Sequence, residues 1–476
     1  MARASRSVGV SGRGYRTVGA NRHATFGAAA AGRAPRAAGS SLGVHVLVPE
    51  TRRPRAPRRE IVSWALFDFA NSAFTTLIVT FIFSRYYAER IAPDPIEGAI
   101  WWTRAVQASA IVVALITPVL GAMADFGGRK KRFLVVSTLA CVTATAGLFF
   151  MGPGDAWLAA AVFILANIAY EVTQALYNAF LPELADPDHM GRVSGFGWGL
   201  GYFGGLLCLV LALAMVTGWL PETDDMNVRA TNLLAAGWFL VFSIPTFVWL
   251  RERQTPRRAS LSEYVRSGFG RVRDTAGHLR RYREAGKLLL ARLVYNDGLV
   301  TVFAMAAIYA GAVFGMETSE VLSLGIAVNL AAGASAIAFG FVNDRIGGVR
   351  TIAFTLVTLI ATTGLALWAP TRTWFWIAAI GLGLMVGPNQ AASRSLLGSF
   401  IPESKQGELF GFYAFSGKLA SVLGPLSYGL VLGATGSHRA AMGGIIAFFV
   451  VGLALLGLVD EAEGRRLARS GIDADA

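Results

Sequence analysis

Long apolar runs separated by short polar stretches follow one another along most of this 476-residue chain. A run of about 20 apolar residues can cross the hydrocarbon core of a bilayer, which is about 30 Å thick. Because the runs are continuous rather than alternating, they predict helices and not the strands of a β-barrel. We predict twelve membrane spans, near 63–87, 103–124, 133–151, 157–179, 196–217, 231–250, 288–313, 322–342, 351–368, 374–397, 411–432 and 439–459.

A short loop occurs twice and divides the chain into two related halves. Its first copy runs from Gly121 to Arg132, and its second from Gly340 to Arg350. In both copies a glycine precedes an aspartate, Asp125 or Asp344, by four residues, and basic residues follow. Glycine and aspartate suit the end of an apolar helix and the turn after it. We therefore predict two helical bundles of similar design.

The predicted domains follow from this duplication. An N-terminal six-helix bundle covers 61–250 and a C-terminal one covers 288–460, with a cytoplasmic basic linker at 251–287 and a cytoplasmic tail at 461–476. The remaining segment, 1–60, is rich in Arg, Ala, Gly and Ser. We expect it to be disordered, because it has too little apolar material to offset the entropy of ordering. A start site assigned too far upstream, or a transit peptide, would give the same composition.

Composition and charge place the chain in a membrane. Hydrophobic residues make up 54% of it and charged residues 15%, whereas soluble domains carry about 25% charged residues. Much of the net charge of +13 comes from twelve arginines before residue 61 and eleven basic residues in the linker. Basic residues gathered in alternate loops mark the cytoplasmic side. We predict a multi-pass protein of a bacterial-type inner (plasma) membrane with both termini in the cytoplasm, and no nucleic-acid binding, since no folded basic domain remains.

The linker has a helical pattern of its own. Leu261, Tyr264, Val265, Phe269 and Val272 recur at helical spacing among arginines. This pattern suits a helix lying on the inner membrane surface against anionic lipid. A solvated charged linker is the alternative.

No motif in the sequence indicates an enzyme. The sequence contains no phosphate-binding loop, no metal-spaced cluster among its five histidines and no arrangement typical of a catalytic nucleophile. Cys141 and Cys208 fall inside apolar runs and suit small buried hydrophobic residues. We expect no cofactor and no metal, and a monomer whose partners are a small-molecule solute and membrane lipid.

Polar side chains inside a bilayer are costly, so their positions carry information. They form helical stripes in the first, fourth, seventh and tenth spans, and such stripes must face other helices or water. Hydrogen bonds between helices, worth about 0.6 kcal/mol each, are one role for them; contact with a solute is the other. The predicted solute-binding residues are Asn71, Asn167, Tyr170, Glu171, Gln174, Asn296, Asn389 and Gln390.

Four ionisable residues are candidates for proton or charge coupling: Asp68, Glu171, Asp297 and Lys418. Glu171 lies about 14 residues, or roughly 21 Å, into its predicted helix. A carboxylate at that depth either contacts solute or carries a proton. Lys418 either extends to the inner surface or pairs with a carboxylate, and Asp297 and Asp68 are the nearest to it in expected depth.

Twelve spans in two halves, a long basic linker and the duplicated Gly-x-x-x-Asp loop resemble the major facilitator superfamily. The resemblance implies an all-α polytopic fold of 12 transmembrane helices in two pseudo-symmetric six-helix bundles. It also implies a cavity lined by the first, fourth, seventh and tenth spans and a cytoplasmic gate at the duplicated loops. Phe126 and Gly348 depart from the pattern, since each stands where arginine is usual. The expected gate residues are Asp125, Arg129, Lys130, Asp344, Arg345 and Arg350, with Arg394 added because it lies near the inner end of its span.

Four further stretches are similar to the vacuolar amino-acid effluxer (autophagy-related) family: 64–74, 177–183, 194–198 and 295–298. The resemblance implies a secondary active transporter that moves a small polar solute, an amino acid, across a membrane by alternating access, with efflux as its direction. Proton coupling through Asp68, Glu171 or Asp297 is the expected energy source. The alternatives are a sugar, lipid or lysolipid transporter of the same fold, a channel, and a solute sensor that does not transport.

Overall fold

The computed structural model describes residues 56–257, 259–277 and 282–470 of the chain. Most of the predicted N-terminal tail, residues 1–55, lies outside the described residues, as do the last six residues of the predicted C-terminal tail.

Within the described residues, twelve helices are long and apolar enough to cross a membrane. The all-α, twelve-span class predicted from the sequence is therefore confirmed. We number these helices span 1 to span 12 in chain order. Their bounds are Arg58–Ile91, Pro95–Gly127, Lys130–Phe150, Ala156–Leu184, Met190–Trp219, Thr223–Trp249, Arg283–Phe314, Ser319–Ile346, Gly348–Trp368, Arg372–Ser399, Gln406–Thr435 and His438–Leu456.

Most spans extend beyond their predicted ends, because hydropathy marks only the apolar middle of a helix. Span 2 shows the reason. Its helix begins at Pro95, where the side chain of Asp94 accepts hydrogen bonds from the backbone N–H groups of Ile96 and Glu97 at 2.9 and 3.1 Å. This is an ordinary aspartate cap followed by proline at the first helical position. Capping and tertiary contacts, rather than hydropathy, set the helix ends.

Each half has its own apolar core. In the N-terminal half, the ring of Tyr177 stacks between those of Trp64 and Phe67, with centroid distances of 4.5 and 5.0 Å. In the C-terminal half, Phe314 and Phe375 stack at 4.7 Å within a separate cluster of buried residues. Two separate cores allow each half to move as a unit.

Two amphipathic helices lie outside the spans: the linker helix Leu261–Gly277 and the C-terminal helix Glu461–Ser470. The linker helix packs against span 2, where buried Tyr264 contacts Phe126. Val265 and Phe269, on another face, are exposed. The linker is thus a helix that packs one face against the bundle. Neither alternative predicted from the sequence, a helix on the membrane surface or a solvated linker, included this contact.

Candidate functional site

Asp68 of span 1 and Arg394 of span 10 form a buried ion pair between the two halves, with Nη1 and Oδ2 2.9 Å apart. Arg394 is only 2% exposed. Its other donors reach the Ser194 hydroxyl and carbonyl oxygens at 2.9 and 2.7 Å and Asn178 Oδ1 at 3.1 Å. Trp64 lies under the guanidinium, 4.8 Å from its ring centroid. Removing either charge would leave the other buried and unpaired, which costs about 3–5 kcal/mol.

A chain of side-chain hydrogen bonds runs from this ion pair into span 4. The amides of Asn71 and Gln174 exchange two hydrogen bonds at 3.3 and 3.2 Å. Gln174 also donates to the Tyr170 hydroxyl at 2.7 Å, and Asn71 donates weakly to Asp68 at 3.4 Å. The structure therefore brings together four of the residues singled out in the sequence. Amides with both donors and acceptors can exchange these bonds for bonds to a polar solute.

Glu171 and Lys418 form a second ion pair between the halves, 2.5 Å from Nζ to Oε1. Their side chains are 15% and 27% exposed, so this pair is less enclosed than the first. The expectation that Lys418 would pair with Asp297 or Asp68 is wrong. Expected depth fixes height along a helix but not which helices are neighbours, and span 11 packs against span 4.

Asp297 is fully buried but makes no ion pair among the described residues. Its Oδ1 accepts the backbone N–H of Gly424 at 2.8 Å, and its Oδ2 has no hydrogen-bond partner in the described part of the chain. Gly424 precedes Pro425, and both lie within the continuous helix of span 11. Asp297 thus ties span 7 to span 11 within the C-terminal half, which is the interhelical role of a buried polar side chain.

The remaining polar residues on the predicted stripes fall into two groups. Gln390 donates to Asn296 at 2.8 Å, joining spans 10 and 7. Asn167 instead donates to Ser109 of span 2 at 2.7 Å, and Asn389 donates to Thr355 of span 9 at 2.9 Å. Asn167 and Asn389 are buried. Their hydrogen bonds join neighbouring helices, which is the alternative to solute contact given in the sequence analysis.

The first copy of the duplicated loop caps a helix of the opposite half. Asp125 accepts the backbone N–H groups of Gly407 and Glu408, in the first turn of span 11, at 2.9 and 3.0 Å. A Cβ atom at Gly121 would overlap the Gly407 carbonyl, so glycine is what allows this approach. A carboxylate at a helix N-terminus satisfies free N–H groups and complements the helix dipole.

Lys130 carries the charge pairing beside this cap. Its fully buried ammonium group contacts the carboxylate of Glu183 and the side-chain oxygen of Gln406, which starts span 11. Arg129, also expected in the gate, makes no side-chain hydrogen bond or ion pair among the described residues. The basic residue that is paired here is set by which side of the turn faces Glu183.

The second copy repeats the cap in reverse. Asp344 accepts the backbone N–H groups of Gly191 and Arg192, in the first turn of span 5, at 2.8 and 3.3 Å, and the Arg192 Nε at 2.6 Å. The expected partners Arg345 and Arg350 are exposed and make no ion pair within the described part of the chain. Arg192 was not predicted from the sequence. A signal was present, because the Phe-x-Pro-Glu repeats at 180–183 and 400–403 place the starts of spans 5 and 11 in equivalent positions.

The packing between the halves extends inward from these caps. Along spans 5 and 8, a Cβ at Gly199 would lie 2.8 Å from the Gly333 carbonyl oxygen. Along spans 2 and 11, a Cβ at Gly411 would lie 2.5 Å from Pro118 Cα. Small residues let helix backbones approach this closely. These contacts lie in the part of the bundle nearest the duplicated loops, which we call the basic end.

Phe126, which departs from the superfamily pattern, is covered by the linker. The ring of Tyr264 meets it edge-on at 5.7 Å, and the guanidinium groups of Arg257 and Arg271 lie 5.6 and 5.9 Å from its centroid. Arg271 also donates to the Ser404 carbonyl of the C-terminal half at 3.1 Å. An aromatic ring at 126 therefore binds the linker helix, which reaches across to the other half.

Comparison with known proteins agrees with this architecture. A family model described as "Vacuole effluxer Atg22 like" matches residues 101–469. An uncharacterised major-facilitator-type transporter of Bacillus subtilis, YxiO, is 30% identical over 409 residues, covering 84% of this chain and 94% of that protein. Autophagy-related protein 22 of Yarrowia lipolytica is 24% identical, covering 64% of this chain and 56% of its own length, so the match spans about half of the fungal protein.

The fold is shared with solved transporters. The structure of the major facilitator superfamily transporter FucP of E. coli in its outward conformation superimposes with a TM-score of 0.66 at 13% identity, covering 85% of this chain and 98% of that chain. At this identity the likeness shows the fold alone. Together with the family match, it shows that the chain is a multi-pass membrane transporter of the major facilitator type and belongs to the Atg22-like vacuole effluxer family.

Proposed function

We propose that the protein is a secondary active transporter that moves an amino acid out of the cytoplasm by alternating access, driven by a proton gradient. One observation carries the proposal: both ion pairs of the central region, Asp68–Arg394 and Glu171–Lys418, join one half to the other. Opening the basic end separates the halves and must break both pairs. They can therefore link the state of the gate to solute and protons.

The structure supports a gate because the basic end is held closed by reciprocal caps. Asp125 caps span 11 and Asp344 caps span 5, so each half holds a helix of the other. By the positive-inside rule the basic end faces the cytoplasm. The membrane that we propose is the inner membrane of a bacterial-type cell. The state described is then outward-facing, because the caps close the cytoplasmic side.

Charge is segregated between the halves, and this favours a zwitterionic solute. Asp68 and Glu171 belong to the N-terminal half, whereas Arg394 and Lys418 belong to the C-terminal half. When the basic end opens, an acidic wall faces a basic wall across the path. An amino acid places an ammonium group against the first and a carboxylate against the second. Sugars lack both charges and gain nothing from this arrangement.

Glu171 is the group we assign to proton coupling. It is the more accessible of the two cross-half acids, and its partner Lys418 is also partly exposed. Protonation of Glu171 would break its ion pair with Lys418 and weaken the contact between spans 4 and 11. Glutamine at this position mimics the protonated acid permanently, so it removes the response to a proton gradient.

The test uses the purified full-length protein in liposomes, with counterflow of labelled amino acids at equal pH and accumulation under an imposed pH gradient. We expect Glu171→Gln to abolish gradient-driven accumulation and to keep counterflow, because exchange needs no net proton movement. Glu222→Gln, at an exposed glutamate between spans 5 and 6, is the control and should match wild type. Gradient-driven accumulation at the wild-type rate in Glu171→Gln would remove the assignment.

The same experiment separates the other functions. Conduction that never saturates would indicate a channel, and binding without counterflow would indicate a sensor. Saturable counterflow of sugars or lysolipids in place of amino acids would redirect the proposed substrate. Each result would leave the fold and family unchanged and overturn only the proposed activity.

A further inference from the structure

Arg292 of span 7 is a buried cation with no carboxylate partner in the part of the chain that the structure describes. It is 6% exposed and makes no ion pair among the described residues. Its guanidinium stacks on the ring of Tyr413, 3.6 Å from the centroid. Its Nη1 donates to the Tyr413 carbonyl at 3.1 Å and to the Ser416 hydroxyl at 3.0 Å. One edge of the group is therefore held firmly against span 11.

The other edge of the guanidinium has donors without acceptors. Nε has no hydrogen-bond partner, and Nη2 makes no hydrogen bond among the described residues. Arginine cannot lose its proton in a protein, and a buried charge without a counter-ion is strongly unfavourable. At Gly417 a Cβ would lie 3.2 Å from Nη1 and 3.4 Å from Nη2, so glycine keeps a side chain away from the group.

Residues of the proposed transport path lie next to Arg292. Lys418, which pairs with Glu171, directly follows Gly417 in span 11. Asn296, which accepts from Gln390, lies four residues after Arg292 and so on the same face of span 7. Arg292 thus lies against the residue that precedes Lys418 and one helical turn from an amide pair of the C-terminal half.

We propose that Arg292 binds the carboxylate of the transported solute through its Nε–Nη2 edge. Two parallel N–H donors on a planar group match the two oxygens of a carboxylate. Stacking on Tyr413 and the two bonds of Nη1 fix the plane and leave this edge for the ligand. The inference rests on the proposed function for its transport step, and it specifies the solute class as one that carries a carboxylate.

The site also has a direction. Arg292 is only 6% exposed while the basic end is closed, so the carboxylate enters when that end opens and is released toward the opposite side as it closes. Binding from the cytoplasmic side and release on the other side constitute efflux.

The binding test follows thermal unfolding of the purified full-length protein with sodium propionate and, separately, with propionamide. We expect propionate to stabilise the wild type, because a ligand of the folded state raises its stability, and propionamide to have no effect. Arg292→Gln should lose roughly 10- to 100-fold in apparent affinity for propionate. Arg292→Lys should fall between, since lysine keeps the charge but not the bidentate edge. Arg104→Gln, at an exposed arginine of span 2, should behave as wild type.

Gly417→Ala covers the case in which Arg292→Gln does not fold. Alanine suits a helix and crowds the guanidinium without removing it, so propionate affinity should fall while unfolding without ligand changes little. Wild-type affinity for propionate in both Arg292→Gln and Gly417→Ala, or equal binding of propionate and propionamide by the wild type, would overturn the proposal.

Counterflow of L-alanine and alaninamide separates this inference from the proposed function. Loss of acid-over-amide preference in Arg292→Gln supports the inference. If L-alanine and the other amino acids show no counterflow while propionate still binds through Arg292, the proposed function fails and the carboxylate site stands. If amino acids are exchanged equally by wild type and Arg292→Gln, the site fails and the function stands.

Discussion

The two copies of the duplicated loop build the same cap with different surroundings. Asp125 and Asp344 each accept two backbone N–H groups from the first turn of a helix in the opposite half. At the first copy the accompanying cation, Lys130, is fully buried with its partners. At the second, the side chain of Arg192 is 43% exposed. The cap is symmetric, but the charge pairing is not.

The helices that cover the two loops differ as well. The linker helix covers the first through Tyr264 and Phe126, an aromatic contact. The C-terminal helix covers the second through Glu461, which accepts the backbone N–H of Val349 at 3.0 Å. That helix also extends Arg465 to the exposed Asp188 of the other half, 3.1 Å away. The two ion pairs therefore have different roles: the buried pair Lys130–Glu183 lies within the N-terminal half, whereas the exposed pair Arg192–Asp344 joins the two halves. Breaking the buried pair costs more than breaking the exposed one.

Lys130→Ala should have the largest effect on stability. It removes the buried cation of Glu183, whose side chain is only 6% exposed, so we expect the folded protein to lose about 3–5 kcal/mol. Because both residues belong to the N-terminal half, the closed and open states share this loss, and only the contact of Lys130 with Gln406 favours closure. Thermal unfolding should therefore show a large loss, whereas spin labels at Arg132 and Arg350, both exposed on opposite halves, should report little change in distance. Thermal stability equal to that of Arg104→Ala would show that this buried pair contributes little.

Asp125→Ala and Asp344→Ala should have intermediate and similar effects. Each removes a carboxylate that caps a helix of the other half, and loss of a cap costs about 0.5–2 kcal/mol. Because the two caps share no partner, the double variant should lose about the sum of the two. Thermal unfolding and the same spin-label distances measure both effects. A much smaller change for Asp344→Ala alone would show that the second cap contributes little to closure.

Arg192→Gln should have the smallest effect. Its ion pair with Asp344 is partly exposed, and such pairs contribute about 0.2–1 kcal/mol. High salt should reduce even this difference by screening, whereas the effect of Lys130→Ala should persist in high salt. A loss of thermal stability in Arg192→Gln as large as that in Lys130→Ala would contradict the ranking of the two ion pairs.

Particular residues show how far the sequence could be used to predict the site. The aspartates of the duplicated loops, the arginine near the inner end of span 10 and the acid at mid-depth in span 4 were all identified from polarity and spacing. Their partners were not: Lys418 pairs with Glu171, and Arg192 rather than Arg345 or Arg350 pairs with Asp344. Spacing along a helix gives the depth of a residue in the membrane and the side of the helix on which it lies. Neither property tells which neighbouring helix packs against that side.

The sequence by itself determined the twelve spans, their duplication and the polarity of the two ends, because each depends on local composition and on transfer of side chains between water and lipid. Only the tertiary structure decided that Asn167 is bonded to Ser109, that Phe126 contacts the linker helix and that Arg292 has no counter-ion among the described residues. These outcomes depend on which surfaces meet when two six-helix bundles pack, and residues as far apart as 68 and 394 become neighbours only then.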